Sequence, residues 1–168
     1  MINWIYFPKS DAAPRIVQDV VDTFQEVETE IDSHNFDLIS DQVLAKLAPH
    51  LIKCGFKVES GKKLHQKIRV PVLFGLNGSL EKAFEADAYN GEKKMVLEVE
   101  AGRGVLNNQF LKDLFQACMM HNVDYFGIAV RNLYKNSRDF EKVVMFFDTL
   151  YASNRLELPL NGVLVIGY

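Results

Sequence analysis

Two short apolar runs constrain this chain more than any other feature: Tyr-Phe-Gly-Ile-Ala-Val over 125–130 and Gly-Val-Leu-Val-Ile over 162–166. Runs this brief, apolar at consecutive positions, are the pattern of strands buried on both faces. Between them Phe140, Val143, Val144, Phe147 and Leu150 recur at three- and four-residue intervals after Ser137, which is expected to cap a helix. A strand, a helix and a second strand imply a right-handed crossover and a parallel pair. Such a pair needs helices over its faces, so the expected class is α/β.

Upstream, the periodicity is that of a hairpin. Residues 83–89 alternate Phe84, Ala86 and Ala88 with Glu85, Asp87 and Tyr89, and residues 95–100 place Val96, Glu98 and Glu100 on a common face. Asn90-Gly91 marks the turn. Asp87 lies opposite Glu98 only if the connection is a four-residue loop over Gly91 to Lys94. A tight two-residue turn at Asn90-Gly91 would instead leave the two carboxylates ~13 Å apart. Lys67 to Phe74 reads as a preceding strand, with Pro71 at an edge or bulge.

Two helices are expected before the sheet. The first runs from Ala12 to about Ser33 on Ile16, Val20, Phe24, Val27 and Ile31. The second follows Ser40 as cap, uses Val43, Leu44, Leu47, Leu51 and Ile52, is kinked or split by Pro49, and stops at Gly55. After Gly102-Arg103-Gly104, Asn107 or Asn108 is expected to cap a further helix that buries Phe110, Leu111, Leu114, Ala117 and Cys118. At 168 residues and 48% apolar composition, one domain is expected, with residues 1–55 as its helical part and residues 56–168 as its α/β core.

The net charge of −3 argues against nucleic-acid binding through overall positive charge, but the distribution is uneven. Residues 19–41 carry eight Asp and Glu and no Lys or Arg, whereas residues 53–69 carry Lys53, Lys57, Lys62, Lys63, Lys67 and Arg69 against Glu59 alone. The basic stretch reads either as a solvated face or as a local phosphate-contacting patch. Cys54 and Cys118 sit in apolar periodic segments without metal spacing and read as reduced core residues. His34, His50 and His121 show no metal spacing either. The opening Met-Ile-Asn-Trp-Ile-Tyr-Phe-Pro has neither the basic leader nor the length of a signal peptide, so a cytoplasmic location is expected.

Three carboxylates on one side of a hairpin repel one another and call for neutralisation. A hard cation such as Mg²⁺, held by one or two carboxylates plus waters and phosphate oxygens, would supply it. Asp87, Glu98 and the backbone around Val99 and Glu100 are the candidate ligands. The alternative is a solvated acidic face, paired with Lys93, Lys94 or Arg103.

The segment Glu85-Ala86-Asp87-Ala88-Tyr89, a turn, then Val96-Leu97-Glu98-Val99-Glu100-Ala101-Gly102-Arg103, followed by helix, strand, helix and strand, resembles the PD-(D/E)XK restriction-endonuclease-like superfamily over residues 56–168. Asp87 and Glu98 stand at the two acidic places of its pattern, and Glu100 stands where lysine is usual, as in the Glu-x-Glu variant of some type II restriction enzymes. The resemblance implies a three-layer α/β/α domain with a mixed central sheet and two N-terminal helices. It also implies an endonuclease that hydrolyses DNA phosphodiester bonds with Mg²⁺, for which Mn²⁺ can substitute. Asp87 and Glu98 would be direct ligands, and Glu100 would complete the shell or act as base. Arg103, Lys112 and Gln116 are placed to compensate for the missing lysine or to contact DNA. Lys62, Lys63, His65, Lys67 and Arg69 would grip the backbone, Glu26 and Glu30 could add a ligand from the first helix, and a homodimer would suit cutting of both strands. A catalytically inactive binding or regulatory protein on the same fold is the alternative, and a plain interaction domain is a third reading.

Overall fold

The structure is a computed structural model that describes all residues except Arg103, Gly104 and Leu106. Its centre is a parallel trio, the pair expected from the apolar runs joined by a third strand. Strand β6 (Met95–Glu100) pairs in parallel with β7 (Tyr125–Val130), which pairs in parallel with β8 (Gly162–Gly167). Helix α4 (Gln109–Met119) connects β6 to β7, and α5 (Asp139–Ser153) connects β7 to β8. Antiparallel strands flank the trio: β1 (Asn3–Phe7) on β8, and β5 (Ala88–Asn90) on β6, with the two-residue β2 (Lys57–Val58) beyond β5. The order is β1-β8-β7-β6-β5-β2, a six-stranded mixed sheet.

Alternation along the strands divides the core into two layers. Met95, Leu97, Val99, Ala129, Leu164 and Ile166 pack against helices α1 (Arg15–Glu26), α2 (Glu28–Ile31) and α3 (Ser40–Lys53). Val96, Phe126, Ile128, Val163 and Val165 point the other way, onto Phe110, Leu114 and Ala117 of α4 and Val143 and Phe147 of α5. The result is helices, sheet and helices, the three-layer arrangement of the restriction-endonuclease-like fold. Cys54 and Cys118 are both free. Among the described residues no helix is long and apolar enough to cross a membrane.

Several elements depart from the sequence reading. Residues 1–55, expected as the helical part, open with β1, which pairs Asn3 with Gly167 at the far end of the chain. The helix expected over residues 12–33 breaks at Val27 into α1 and α2. Pro49 lies inside α3 without splitting it. The lost N–H leaves the Ala45 carbonyl without its helical partner, and both residues are exposed, so water can serve that oxygen. Ser40 is the first residue of α3 rather than its cap, and Gln42 Oε1 instead accepts the Ile39 N–H at 3.0 Å. Helix α5 starts at Asp139, two residues beyond the expected cap Ser137, whose hydroxyl donates to the Asp139 carboxylate.

The largest departure concerns the strand with Pro71. Strand β3 (Ile68–Phe74) does not join the central sheet; it forms a separate two-stranded ribbon with β4 (Leu80–Ala86). The ladder shifts between Pro71 and Leu73, where proline has no N–H to donate. The strand expected over 83–89 therefore divides at Asp87, as the chain passes from ribbon to sheet.

Candidate active site

The hairpin register brings the acidic residues together. Ala88 pairs with Leu97, Tyr89 with Val96 and Asn90 with Met95, so the connection is the four-residue loop Gly91 to Lys94. Asn90 explains why the tight turn is not used. Its buried side chain accepts the Lys93 N–H at 2.9 Å and donates to the Cys54 carbonyl at 3.0 Å, while Lys94 takes the left-handed backbone. One step beyond the last paired residues, Asp87 comes opposite Glu98, and its Oδ2 accepts the Val99 N–H at 2.8 Å. Glu98 and Glu100 alternate with Leu97 and Val99, so both face the α4 side of the sheet.

Helix α4 completes the site from above. Gln109, Lys112, Asp113 and Gln116 share one helical face and line a cavity of about 410 Å³ with Asp87, Glu98 and Glu100. Asp113 is only 6% exposed. Gln109 donates to its Oδ1 at 3.3 Å, and the Glu100 carboxyl faces it within hydrogen-bond reach. The rim is formed by Ser40 and Asp41 of α3, Glu59, Lys62, Lys67 and Glu85.

Crowding buried carboxylates raises their proton affinity. Burial, followed by the charges of Glu59, Asp113 and Asp41, lifts the Asp87 carboxyl to about 6 against the opposing Val99 N–H. Burial, then Asp87, Asp113 and Glu100, holds Glu98 well above the usual carboxylate range. Glu100 is lifted to about 8 by burial and then by Asp113, while Lys112 works against the rise. Asp113 is raised by burial, with Lys112 again opposing. Four acidic groups with elevated proton affinity in one cleft form a functional-site signature and need a positive partner.

The other residues singled out in the sequence divide into those near this cavity and those away from it. Lys62 and Lys67 line the rim but are already paired: Lys62 with Asp41 at 2.9 Å, and Lys67 with Glu59 at 2.9 Å and Glu85 at 3.3 Å. Lys63, His65 and Arg69 are exposed and outside the cavity lining. Arg103 lies outside the described residues. Lys93 and Lys94 pair with Glu92 and Asp124, not with the hairpin carboxylates. Glu26 and Glu30 do not reach the site, because α1 and α2 cover the opposite face of the sheet. Glu26 pairs with His50, and Glu30 with Lys46 at 2.8 Å.

Sequence reading missed Asp113, Gln109 and Glu59. The available signal for α4 was the polar set 109, 112, 113 and 116 at helical spacing, alongside the apolar set 110, 114 and 117.

The donor set suits an oxygen-seeking cation, since neither cysteine nor histidine lines the cavity. Among the described residues no three His, Cys, Asp or Glu side chains close into a ready-made metal cage. The mutual repulsion of these carboxylates is what such a cation would relieve.

The overall architecture matches a restriction-endonuclease-like fold. The crystal structure of restriction endonuclease BglII complexed with a DNA 16-mer aligns with 99% of this chain and 75% of its own, at a TM-score of 0.56 and 14% identity. The structure of free BglII aligns with 99% of this chain and 78% of its own, at 0.54 and 12%. At such identities the likeness establishes the fold. No family model and no curated protein matches the sequence.

Proposed function

We propose that this chain is a Mg²⁺-dependent endonuclease that hydrolyses DNA phosphodiester bonds, of the PD-(D/E)XK kind in its Glu-x-Glu form. The observation that carries the reading is the hairpin register, which sets Asp87 against Glu98 on the face that α4 covers with a further buried carboxylate. Asp87, Glu98 and the Val99 backbone would hold the cation, with Glu100 completing the shell. A bound Mg²⁺ supplies a polarised phosphate and a more acidic water.

The chain's own groups set the remaining chemistry. The Glu100 carboxylate, with a proton affinity raised to about 8 in the cation-free chain, is suited to take a proton from an attacking water. Lys112 brings the positive charge that the superfamily's usual lysine would bring, from α4 rather than from β6. Lys62 and Lys67 stand on the same rim as Asp87, which favours a nucleic-acid approach from that side over a plain interaction domain. Phosphate binding there competes with Asp41, Glu59 and Glu85 for the two ammonium groups. Lys63, His65 and Arg69 extend the exposed basic stretch outward. In this reading two copies act together on the two strands of the duplex, in the cytoplasm.

A second reading, a binding or regulatory protein on this fold, is favoured by the same lysine pairing, which leaves the rim poor in free positive charge. Supercoiled plasmid incubated with Mg²⁺ or Mn²⁺ separates the two. Nicked or linear product with wild type, absent with Glu98→Ala and with chelator, is the expected result. Intact plasmid under all conditions, together with cation-dependent DNA retention, would instead support the binding protein.

A further inference from the structure

The carboxyl ends of β6 and β7 open into a second cavity, of about 780 Å³, beside the carboxylate cluster. Glu100 and Ser40 line both cavities, so the two are contiguous around the end of the sheet. The second one is cationic. Arg131 follows Val130, the last residue of β7, whose partner on β6 is Glu100, and neighbouring strands lie ~4.8 Å apart. The Arg131 side chain is 6% exposed and donates to the Asp37 carboxylate and the Leu38 carbonyl. A buried cation needs an anion that shares its surroundings. Asp37 does not share them: its side chain is 89% exposed, on the loop between α2 and α3 that is neither helix nor strand. Lys135 adds a second cation at the cavity, exposed and, among the described residues, without a carboxylate partner. Its Nζ lies 5.3 Å from the Tyr134 ring centroid, and Arg131 Cζ lies 5.1 Å from the same ring.

We propose that this cavity is a phosphate subsite for the nucleic-acid strand, in which a backbone phosphate displaces Asp37 from Arg131 and gains a second contact from Lys135. The choice of a nucleic-acid phosphate rests on the endonuclease reading above. A guanidinium fork fits phosphate as well as carboxylate, so the exchange conserves its hydrogen bonds. Asp37 is already mostly hydrated and loses little by leaving. Asp139, buried and within reach of the Arg131 charge, keeps the guanidinium partly compensated meanwhile. The catalytic rim differs, because the Glu59 side chain that holds Lys67 is itself buried from water. A strand crossing the catalytic cavity reaches Arg131 past Glu100, and Asp37 is its internal competitor.

The test measures fluorescence anisotropy of a labelled DNA duplex with the full chain, using Ca²⁺ as the oxygen-bound cation in place of Mg²⁺. Asp37→Asn is expected to bind severalfold tighter than wild type, since the competitor for Arg131 has lost its charge. Lys135→Gln is expected to bind severalfold weaker, with the slope of log affinity against log salt shallower by about one. Both positions are exposed, and circular dichroism checks the folds. An ion pair that served structure alone would leave Asp37→Asn with unchanged or weaker DNA binding. A 5′-mononucleotide titrated into the same proteins separates a free phosphate from a strand, and only the duplex is expected to respond to Asp37. Wild-type affinity and salt slope in both variants, or a response of the mononucleotide alone, would overturn this inference while wild-type DNA binding leaves the function standing. Absence of DNA binding in wild type and in Asp37→Asn would overturn both.

Discussion

Replacing Asp87 with asparagine should make the cation-free protein more stable at pH 8, although the residue is central to the proposed site. Burial pushes the folded carboxyl up to about 6, against the ordinary 3.8 of the unfolded chain. That rise corresponds to about 3 kcal/mol of destabilisation when the group is ionised. The sign follows from proton binding, because the native state holds the proton more tightly than the unfolded chain and stability must fall as pH rises between the two values. Below pH 3.8 both states are protonated and the penalty is absent; above about 6 it is complete. Asparagine keeps an oxygen for the Val99 N–H and carries no charge, and it also relieves Glu98 and Glu100 of a repelling neighbour. For a chain of this length the gain amounts to roughly 6–12 °C in Tm at pH 8 in chelator, shrinking toward zero near pH 4. With cation at a hundred times its Kd, wild type regains about 2.7 kcal/mol by linkage and the gap closes or reverses. Thermal melts of both proteins from pH 4 to 8, with EDTA and with Mg²⁺, read this directly. A variant less stable than wild type at pH 8 in EDTA, or a gap indifferent to pH, would refute the reasoning.

Three further outcomes follow from particular contacts. Lys67→Ala strands Glu59, whose side chain is 10% exposed, and should cost about 1–3 kcal/mol in urea denaturation. Glu100→Lys places an ammonium against the buried Asp113 carboxylate, so the chelated protein should melt several degrees higher while Mn²⁺ affinity, measured by calorimetry, falls. Phe147→Ala removes a fully buried ring that packs against Phe7 and Phe146 at centroid distances of 5.7 and 5.3 Å, and should cost about 3–5 kcal/mol with little change in Mn²⁺ binding.

The hairpin was legible because strand alternation and loop length are linked: once 83–89 and 95–100 are paired through four residues, Asp87 meets Glu98. The alternation of α4, β7, α5 and β8 was legible for a similar reason, since each element writes its own period into consecutive residues. Asp113 was not legible. Its spacing puts it on the polar face with Gln109, Lys112 and Gln116, which reads as a solvated face, and only the packing of α4 over Glu100 shows that it is buried beside other carboxylates.

Local chemistry along the chain thus determined the α/β class, the parallel pair of apolar strands and the face that carries Glu98 and Glu100, because these depend on periods repeated within a few residues. Tertiary structure alone decided that β1 completes the sheet against β8, that the Pro71 strand leaves it, and that Glu26 and Glu30 lie behind it. It also decided that Lys67 is held by Glu59 and Glu85. Each of these outcomes depends on which distant segments come into contact, and contact between distant segments leaves no period in the sequence.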